Sequence, residues 1–84
     1  MPYFLNLMSD SITRITASHE VMLGKPVVRG TRLTVELLLR KLSEGATPND
    51  LLRMYPELEA ADIQAALAYA TAVLAREEII GLAA

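Results

Sequence analysis

The sequence contains no cysteine and only one histidine. Without cysteine, the chain can form neither a disulfide framework nor a thiolate metal site. His19 alone supplies too few ligands for zinc, and no HExxH spacing surrounds it. A Gly-rich phosphate loop that opens a helix is also missing, as is a serine with a plausible His-Asp relay. We therefore predict a protein that is not an enzyme and that uses no metal or cofactor.

Long apolar runs are scarce. The opening MPYFLNLM is too short for a signal-peptide core and has no basic residues ahead of it. No other run approaches the length of a membrane span. These features predict a soluble, cytoplasmic protein with no membrane partner.

The chain also lacks the basic excess that is usual in nucleic-acid binders. Its net charge is −2 and its pI is near 5.2. The charge is unevenly distributed, because residues 1–53 carry seven Lys and Arg against five Asp and Glu, whereas residues 54–84 carry one against five. If the chain contacts phosphate, we expect the first half to do so.

What the sequence has in quantity is apolar residues. At 84 residues it predicts one domain over 1–84, and 52% of its residues are hydrophobic. A domain this small cannot bury all of that surface by itself. Part of it is therefore expected to meet another protein chain.

The first half predicts a small β element. Residues 11–16 read as a short strand because small and β-branched residues alternate there. Residues 17–24 read as a turn-containing connection, and residues 26–29 as a second extended piece that ends at Gly30. The β element and its basic turn thus span 11–33, after an N-terminal segment at 1–10. Two short strands should pack on helices or pair with a second chain.

Two helices follow with clear boundaries. Thr34 is a good N-cap for the first, which Gly45 ends. Thr47 caps a second, short helix, and Asp50 completes an acidic variant of the capping box. Pro56 ends this second helix.

The third helix is expected from about Glu59 to about Glu78, so the three helices lie within 34–78 and leave a tail at 79–84. Its predicted core stripe is Ile63, Leu67, Ala70 and Leu74. The other flank is also uncharged and consists of Ala65, Ala68, Tyr69 and Ala72. Because a helix that is apolar on nearly all sides favours burial on nearly all sides, this helix predicts a homodimer or another tight partner.

Three helices with short breaks match the spacing of a tri-helical helix-turn-helix, whose last helix would read DNA. Any small helical bundle has similar connections, so the spacing alone is not specific. The third helix has few side chains suited to reading DNA bases, because Glu59 and Asp62 occupy its start and only Gln64 offers bidentate base contacts.

The combined motifs are more specific. The corner GKPVVRGTRL, the turn GATPND, the Tyr-Pro break and the run DIQAALAYA resemble the family known as domain of unknown function 433, over roughly residues 12–70. The resemblance implies a mainly α fold: a three-helix, homeodomain-like helix-turn-helix with a short N-terminal β element. At the third N-cap, where the family commonly has Thr or Ser, this chain has Glu59, which is a weaker cap.

The resemblance also implies a function. Members of the family often look like antitoxins that stand beside a toxin resembling PIN-domain ribonucleases. On this basis we expect an antitoxin-type regulator that binds and neutralises a PIN-like toxin protein and binds operator DNA to repress its own locus.

Candidate residues fall into two sets. The DNA-binding set is Lys25, Arg29, Thr31, Arg32 and Arg40. Alternatively, Arg29 and Arg32 pair with carboxylates of their own fold, such as Glu36 or Asp62, and Thr31 caps the local turn. The partner-binding or dimer-binding set is Tyr55, Ala65, Ala68, Tyr69, Ala72, Ile79, Ile80 and Leu82. The last three belong to a tail that is either the final turn of the third helix or a segment that docks into a partner.

Two other functions stay open. The same fold could serve as a protein–protein adaptor or dimerisation module without DNA binding. Less favoured is an enzyme that holds Mg²⁺ with Glu57, Glu59 and Asp62, because acidic residues at a helix start are already explained by the helix dipole.

Overall fold

The described chain has a β-hairpin followed by three helices. The computed structural model describes the backbone of residues 13–18 and 21–83 and the side chains of residues 13–17 and 24–76. In these residues, strands β1 (Ile15–Ser18) and β2 (Val21–Val28) precede helices α1 (Val35–Ser43), α2 (Pro48–Met54) and α3 (Ala60–Ala83). This arrangement confirms the predicted fold class as a mainly α fold of three helices with a short β element before them.

The hairpin is longer than the sequence pattern predicts. β1 and β2 are antiparallel, with Ile15 opposite Val28 and Ser18 opposite Val21. The prediction of a connection over residues 17–24 is therefore wrong. Gly24, with φ of 86°, lies inside β2 and does not end it, in a stretch where the strand pairing is irregular. Thr13 and Arg14 are helical, so the strand predicted over residues 11–16 is wrong at these two positions. Residues 11–12 and His19 lie outside the described residues.

The first two helices begin at the predicted caps. The Thr34 hydroxyl accepts a hydrogen bond of 3.0 Å from the Leu37 N–H at the start of α1. At the start of α2, Thr47 and Asp50 form a complete capping box, in which each side chain accepts from the other residue's backbone N–H. Gly45 follows α1 with φ of 107°, a left-handed conformation that suits glycine at a helix end.

The start of α3 is held by a residue far away in the sequence. The Asp62 carboxylate accepts from the Glu59 N–H at 2.9 Å and from the Arg14 guanidinium at 2.9 Å. Arg14 also donates to the Glu59 carboxylate at 2.9 Å. Asp62 is buried, so the weak cap residue is compensated by a buried carboxylate and an ion pair.

The core lies where the hairpin, α1, α2 and the first two turns of α3 meet. Leu38 and Leu51 are fully buried at its centre. On α3, Ile63 is buried as predicted, but Leu67 and Leu74 are 37% and 58% exposed. The predicted core stripe is therefore wrong at Leu67 and Leu74, whereas Ala70 is half-buried.

The buried face of α3 contains smaller side chains than the predicted stripe. Ala65 and Ala66 are each 1% exposed. Small side chains allow α1 and the hairpin to approach the helix closely. Ala65 consequently belongs to the core of its own chain, and its assignment to a partner surface is wrong.

α3 continues past the end that the sequence predicts. It is 24 residues long and includes Gly81, so the tail after residue 78 is helical up to Ala83. At 1.5 Å per residue its length is about 36 Å. None of the helices in the described residues combines the length and apolarity that a membrane span requires.

Candidate functional site

The middle of α3, residues 69–74, forms one wall of an open apolar groove. α1 and β2 form the opposite wall, and the groove volume is about 620 Å³. Its apolar lining residues are Pro26, Val35, Leu39, Tyr69, Ala70, Val73 and Leu74. Tyr69, Val73 and Leu74 are between 37% and 58% exposed.

The groove forms because one face of α3 extends beyond the end of the hydrophobic core. Ala66, Tyr69, Ala70 and Val73 have the i, i+3, i+4, i+7 spacing of a single helical face. Ala66 is buried, whereas Tyr69 and Val73 are exposed. The face that packs against α1 in the first turns of α3 therefore runs into open space in the later turns.

Three charged side chains form the rim of the groove. Glu36 accepts from Lys25 at 3.1 Å and from Arg40 at 2.7 Å, and all three side chains are more than half exposed. The hydrogen bond and positive charge of Lys25, and then the charge of Arg40, hold the pKa of Glu36 below its ordinary value of 4.5. The rim therefore has two cations that share one anion, which leaves a small positive excess.

This rim predicts an acid-dependent loss of stability. A carboxylate whose pKa is lowered on folding stabilises the folded state at pH values above its unfolded pKa, and that contribution is lost as the pH falls through the folded pKa. We expect the Glu36 contribution to be present above about pH 4.5 and to disappear progressively below it. Urea unfolding of the native chain and of Glu36→Gln between pH 3 and pH 7 tests this, with a smaller pH dependence expected for the variant.

The pH experiment has an internal control. The pKa of Asp50 is also lowered, first by its hydrogen bond from the Thr47 backbone, and Asp50 lies on α2. Asp50→Asn should remove a separate part of the acid dependence. If Glu36→Gln left the whole acid dependence of unfolding unchanged, the ion pairs of the rim would have no stabilising role.

The predicted DNA-binding residues occupy two places. Lys25 and Arg40 lie on the groove rim with Glu36. Arg29, Thr31 and Arg32 lie on the turn between β2 and α1. The structure thus divides the predicted set between the groove rim and this turn.

The residues of the turn differ in what they contact. The Thr31 hydroxyl donates to the Val28 carbonyl at 2.8 Å and accepts from the Leu33 N–H at 3.0 Å, which confirms the alternative that it caps the local turn. Exposed Arg29 donates its side-chain Nε–H to the Thr13 carbonyl. Arg32 is exposed and forms no ion pair within the described part of the chain. The expected pairing of Arg29 or Arg32 with Glu36 or Asp62 is wrong, since Lys25, Arg40 and Arg14 hold those carboxylates.

The predicted partner-binding residues are mostly on α3. Tyr69 lines the groove, whereas Ala68 and Ala72 are exposed on the same helix and do not line it. Tyr55, just after α2, is half-buried against the core. Ile79, Ile80 and Leu82 belong to α3, but their side chains lie outside the described ones.

Sequence reasoning missed Val73, together with the groove residues of α1 and β2. The signal for Val73 was available, because it completes the four-residue spacing that begins at buried Ala66. No sequence signal marks Pro26, Val35 and Leu39 as groove residues, because only the tertiary packing brings them opposite α3.

The acidic residues near the start of α3 are engaged by a cation of the fold. Arg14 pairs with both Glu59 and Asp62. Among the described side chains, residues 13–17 and 24–76, no cluster of three or more His, Asp or Glu has a geometry suited to a metal ion.

Comparisons with known proteins agree with this architecture. The family model described as "Protein of unknown function (DUF433)" matches residues 15–70. The chain is also similar to the crystal structure of a DUF433 member protein from Anabaena variabilis ATCC 29413, with 32% sequence identity and a TM-score of 0.66. That similarity covers 81% of this chain and 67% of the other. No curated protein matches the chain. Because the family model covers well over half of its residues, the chain belongs to the DUF433 family.

Proposed function

We propose that this chain acts by binding other protein chains, as an antitoxin-type regulator that neutralises a PIN-like ribonuclease toxin in the cytoplasm and has no catalytic activity of its own. The observation that carries the proposal is the exposed apolar face on the middle of α3, between Leu67 and Leu74. The resemblance to antitoxin-like members of the family supplies the identity of the partner.

The exposed apolar residues are concentrated on one element. The large hydrophobic side chains that are exposed in the described part of the chain are Met54, Leu67, Tyr69, Val73 and Leu74. All but Met54 belong to α3. Single exposed hydrophobic residues are common on protein surfaces, but a contiguous apolar patch marks an interaction site.

The charges at the start of α3 favour a protein partner over DNA for this helix. In a helix-turn-helix, the first residues of the last helix contact base edges. Here those positions include Glu59, whose exposed carboxylate disfavours phosphate, and Asp62, which is buried against Arg14 and cannot reach a base edge. Gln64 is exposed and is the single side chain in this part of the helix suited to bidentate contact with adenine.

DNA binding to repress its own locus remains a second proposed activity, and it depends on the turn between β2 and α1. Arg29 and Arg32 are both exposed on this turn. Exposed arginines beside Gly30 can contact DNA phosphates even if no helix of the protein enters a DNA groove. This second activity would distinguish a regulator from an adaptor that has the same fold.

The toxin-binding proposal is tested with the native neighbour. If a PIN-like ribonuclease is encoded beside this chain, we expect the two purified proteins to form a stable complex and the ribonuclease to lose its activity at an equimolar ratio. A ribonuclease that stayed fully active in excess of this chain would contradict the proposal. A native locus with no nuclease-like neighbour would also count against it.

The DNA-binding proposal is tested by gel shift on the DNA upstream of the chain's own gene. We expect salt-sensitive binding that is weakened in the double variant Arg29→Ala, Arg32→Ala, and a salt dependence whose logarithmic slope falls by about 2. Arg53→Ala is the matched control, because Arg53 is an exposed arginine on α2 that pairs with Asp50. Absence of any shift at low salt would favour the adaptor.

A further inference from the structure

We infer that the groove is filled by α3 of a second copy of this chain, so that two α3 helices cross antiparallel near Val73 about a two-fold axis. This inference rests on the part of the proposed function that assigns α3 to protein binding. It requires neither a toxin nor DNA, so its test is independent of theirs.

The groove and the α3 face that would fill it belong to the same surface of the chain. One wall of the groove is the middle of α3, residues 69–74, and the other wall is α1 with β2. A second copy placed by a two-fold axis would insert its α3 into this groove and would receive the first copy's α3 into its own. Such self-complementarity is the defining property of an isologous dimer interface.

The shape and spacing of the apolar residues suit a helix as occupant. Tyr69, Ala70 and Val73 present a helical face, which packs best against the ridges of another helix. Val35 and Leu39, four residues apart on α1, form a facing apolar row. A helix from a second copy would thus contact apolar rows from both walls.

Charge complementarity also favours a second copy. The rim has Lys25 and Arg40, which share Glu36. Residues 54–84, which contain α3, carry one basic and five acidic residues. An antiparallel crossing at Val73 aligns position 77, a glutamate, with position 69 of the other copy. Tyr69 lines the same groove as Lys25 and Arg40. Position 77 of each copy would therefore approach the basic rim of the other.

Disulfide cross-linking tests the geometry of the pair, because the native chain has no cysteine to interfere. We expect Val73→Cys to form an intermolecular disulfide under mild oxidation, since a residue near a two-fold crossing meets its own copy. Ala75→Cys is the matched control, because Ala75 is exposed on the same helix but does not line the groove. Equal cross-linking of the two variants, or none at Val73→Cys, would overturn the antiparallel crossing.

A second pair of variants tests the interface without a cysteine. We expect Val73→Glu to weaken dimerisation at least about 100-fold, because the change puts a carboxylate into the apolar interface twice per dimer. Ala75→Glu should leave the dimer intact, and circular dichroism should show that both variants keep their helices. Sedimentation equilibrium measures the dissociation constants. If Val73→Glu dimerised as tightly as Ala75→Glu, the groove would not be the dimer interface.

Discussion

Replacing Asp62 with alanine is expected to destabilise the fold by about 3 kcal/mol. The Asp62 side chain is 7% exposed and accepts hydrogen bonds from the Arg14 guanidinium and the Glu59 N–H. The Arg14 side chain is 27% exposed, and the substitution would remove its buried carboxylate partner while the exposed Glu59 carboxylate stays paired with it. It would also remove the side chain that satisfies the N-terminus of α3. Urea unfolding at a fixed protein concentration measures the change.

The matched control for Asp62 shares the same arginine. Glu59 accepts from Arg14 at the same distance of 2.9 Å, but its side chain is 71% exposed. An exposed pair is screened by water, so Glu59→Ala should cost no more than about 0.5 kcal/mol. Equal losses for the two variants would show that burial does not determine the strength of these pairs.

Leu38→Ala is expected to reduce the free energy of unfolding by about 3 kcal/mol. Leu38 is fully buried at the centre of the core, where it lies with Leu51, Val35 and Ile63. Its truncation removes buried methyl groups and leaves a cavity that the surrounding helices can only partly close. Because small domains have a net stability of only about 5 to 10 kcal/mol, this single change should remove a large share of it.

Met54→Ala is the control for the core substitution. Met54 is 47% exposed at the end of α2 and does not line the groove. Its truncation should change the free energy of unfolding by about 0.5 kcal/mol or less. Thermal unfolding of both variants by circular dichroism gives the comparison. A similar loss of stability in both would mean that the core is not centred on Leu38.

The helix starts could be predicted because their chemistry is local. The hydroxyls of Thr34 and Thr47 each accept a hydrogen bond from the backbone N–H three residues later. Asp50 completes a capping box within the same turn. Such short-range patterns are visible in a sequence window without knowledge of the fold.

The ion pair at the start of α3 could not be predicted in the same way. Arg14 and Asp62 are 48 residues apart, and they meet because β1 packs beside α3. The sequence contains several arginines that could pair with these carboxylates, and the sequence analysis favoured Arg29 and Arg32, which lie beside Gly30. The choice among them depends on tertiary packing, which no local pattern specifies.

The buried face of α3 was wrongly predicted for a different reason. Between Asp62 and Arg76 the helix has almost no polar residues to mark its solvent side. Periodicity therefore favoured the larger side chains Leu67 and Leu74, whereas the fold buries Ala65 and Ala66. Close approach of α1 requires small residues on the facing side of α3, so alanines are buried there and the larger leucines are not.

The family match and the groove overlap only in part. The match ends at residue 70. The groove residues Val73 and Leu74 lie beyond it, on the same continuous helix. The core, the caps and the β-hairpin are thus within the matched region, whereas the most exposed part of the apolar face is outside it.

The central claim is that the exposed apolar face of α3 requires a partner chain, and the molecular mass of the purified native protein in solution tests it most directly. Light scattering or sedimentation equilibrium at micromolar concentration should give twice the chain mass of 9.2 kDa or more. A well-folded species of 9.2 kDa under the same conditions would contradict the claim.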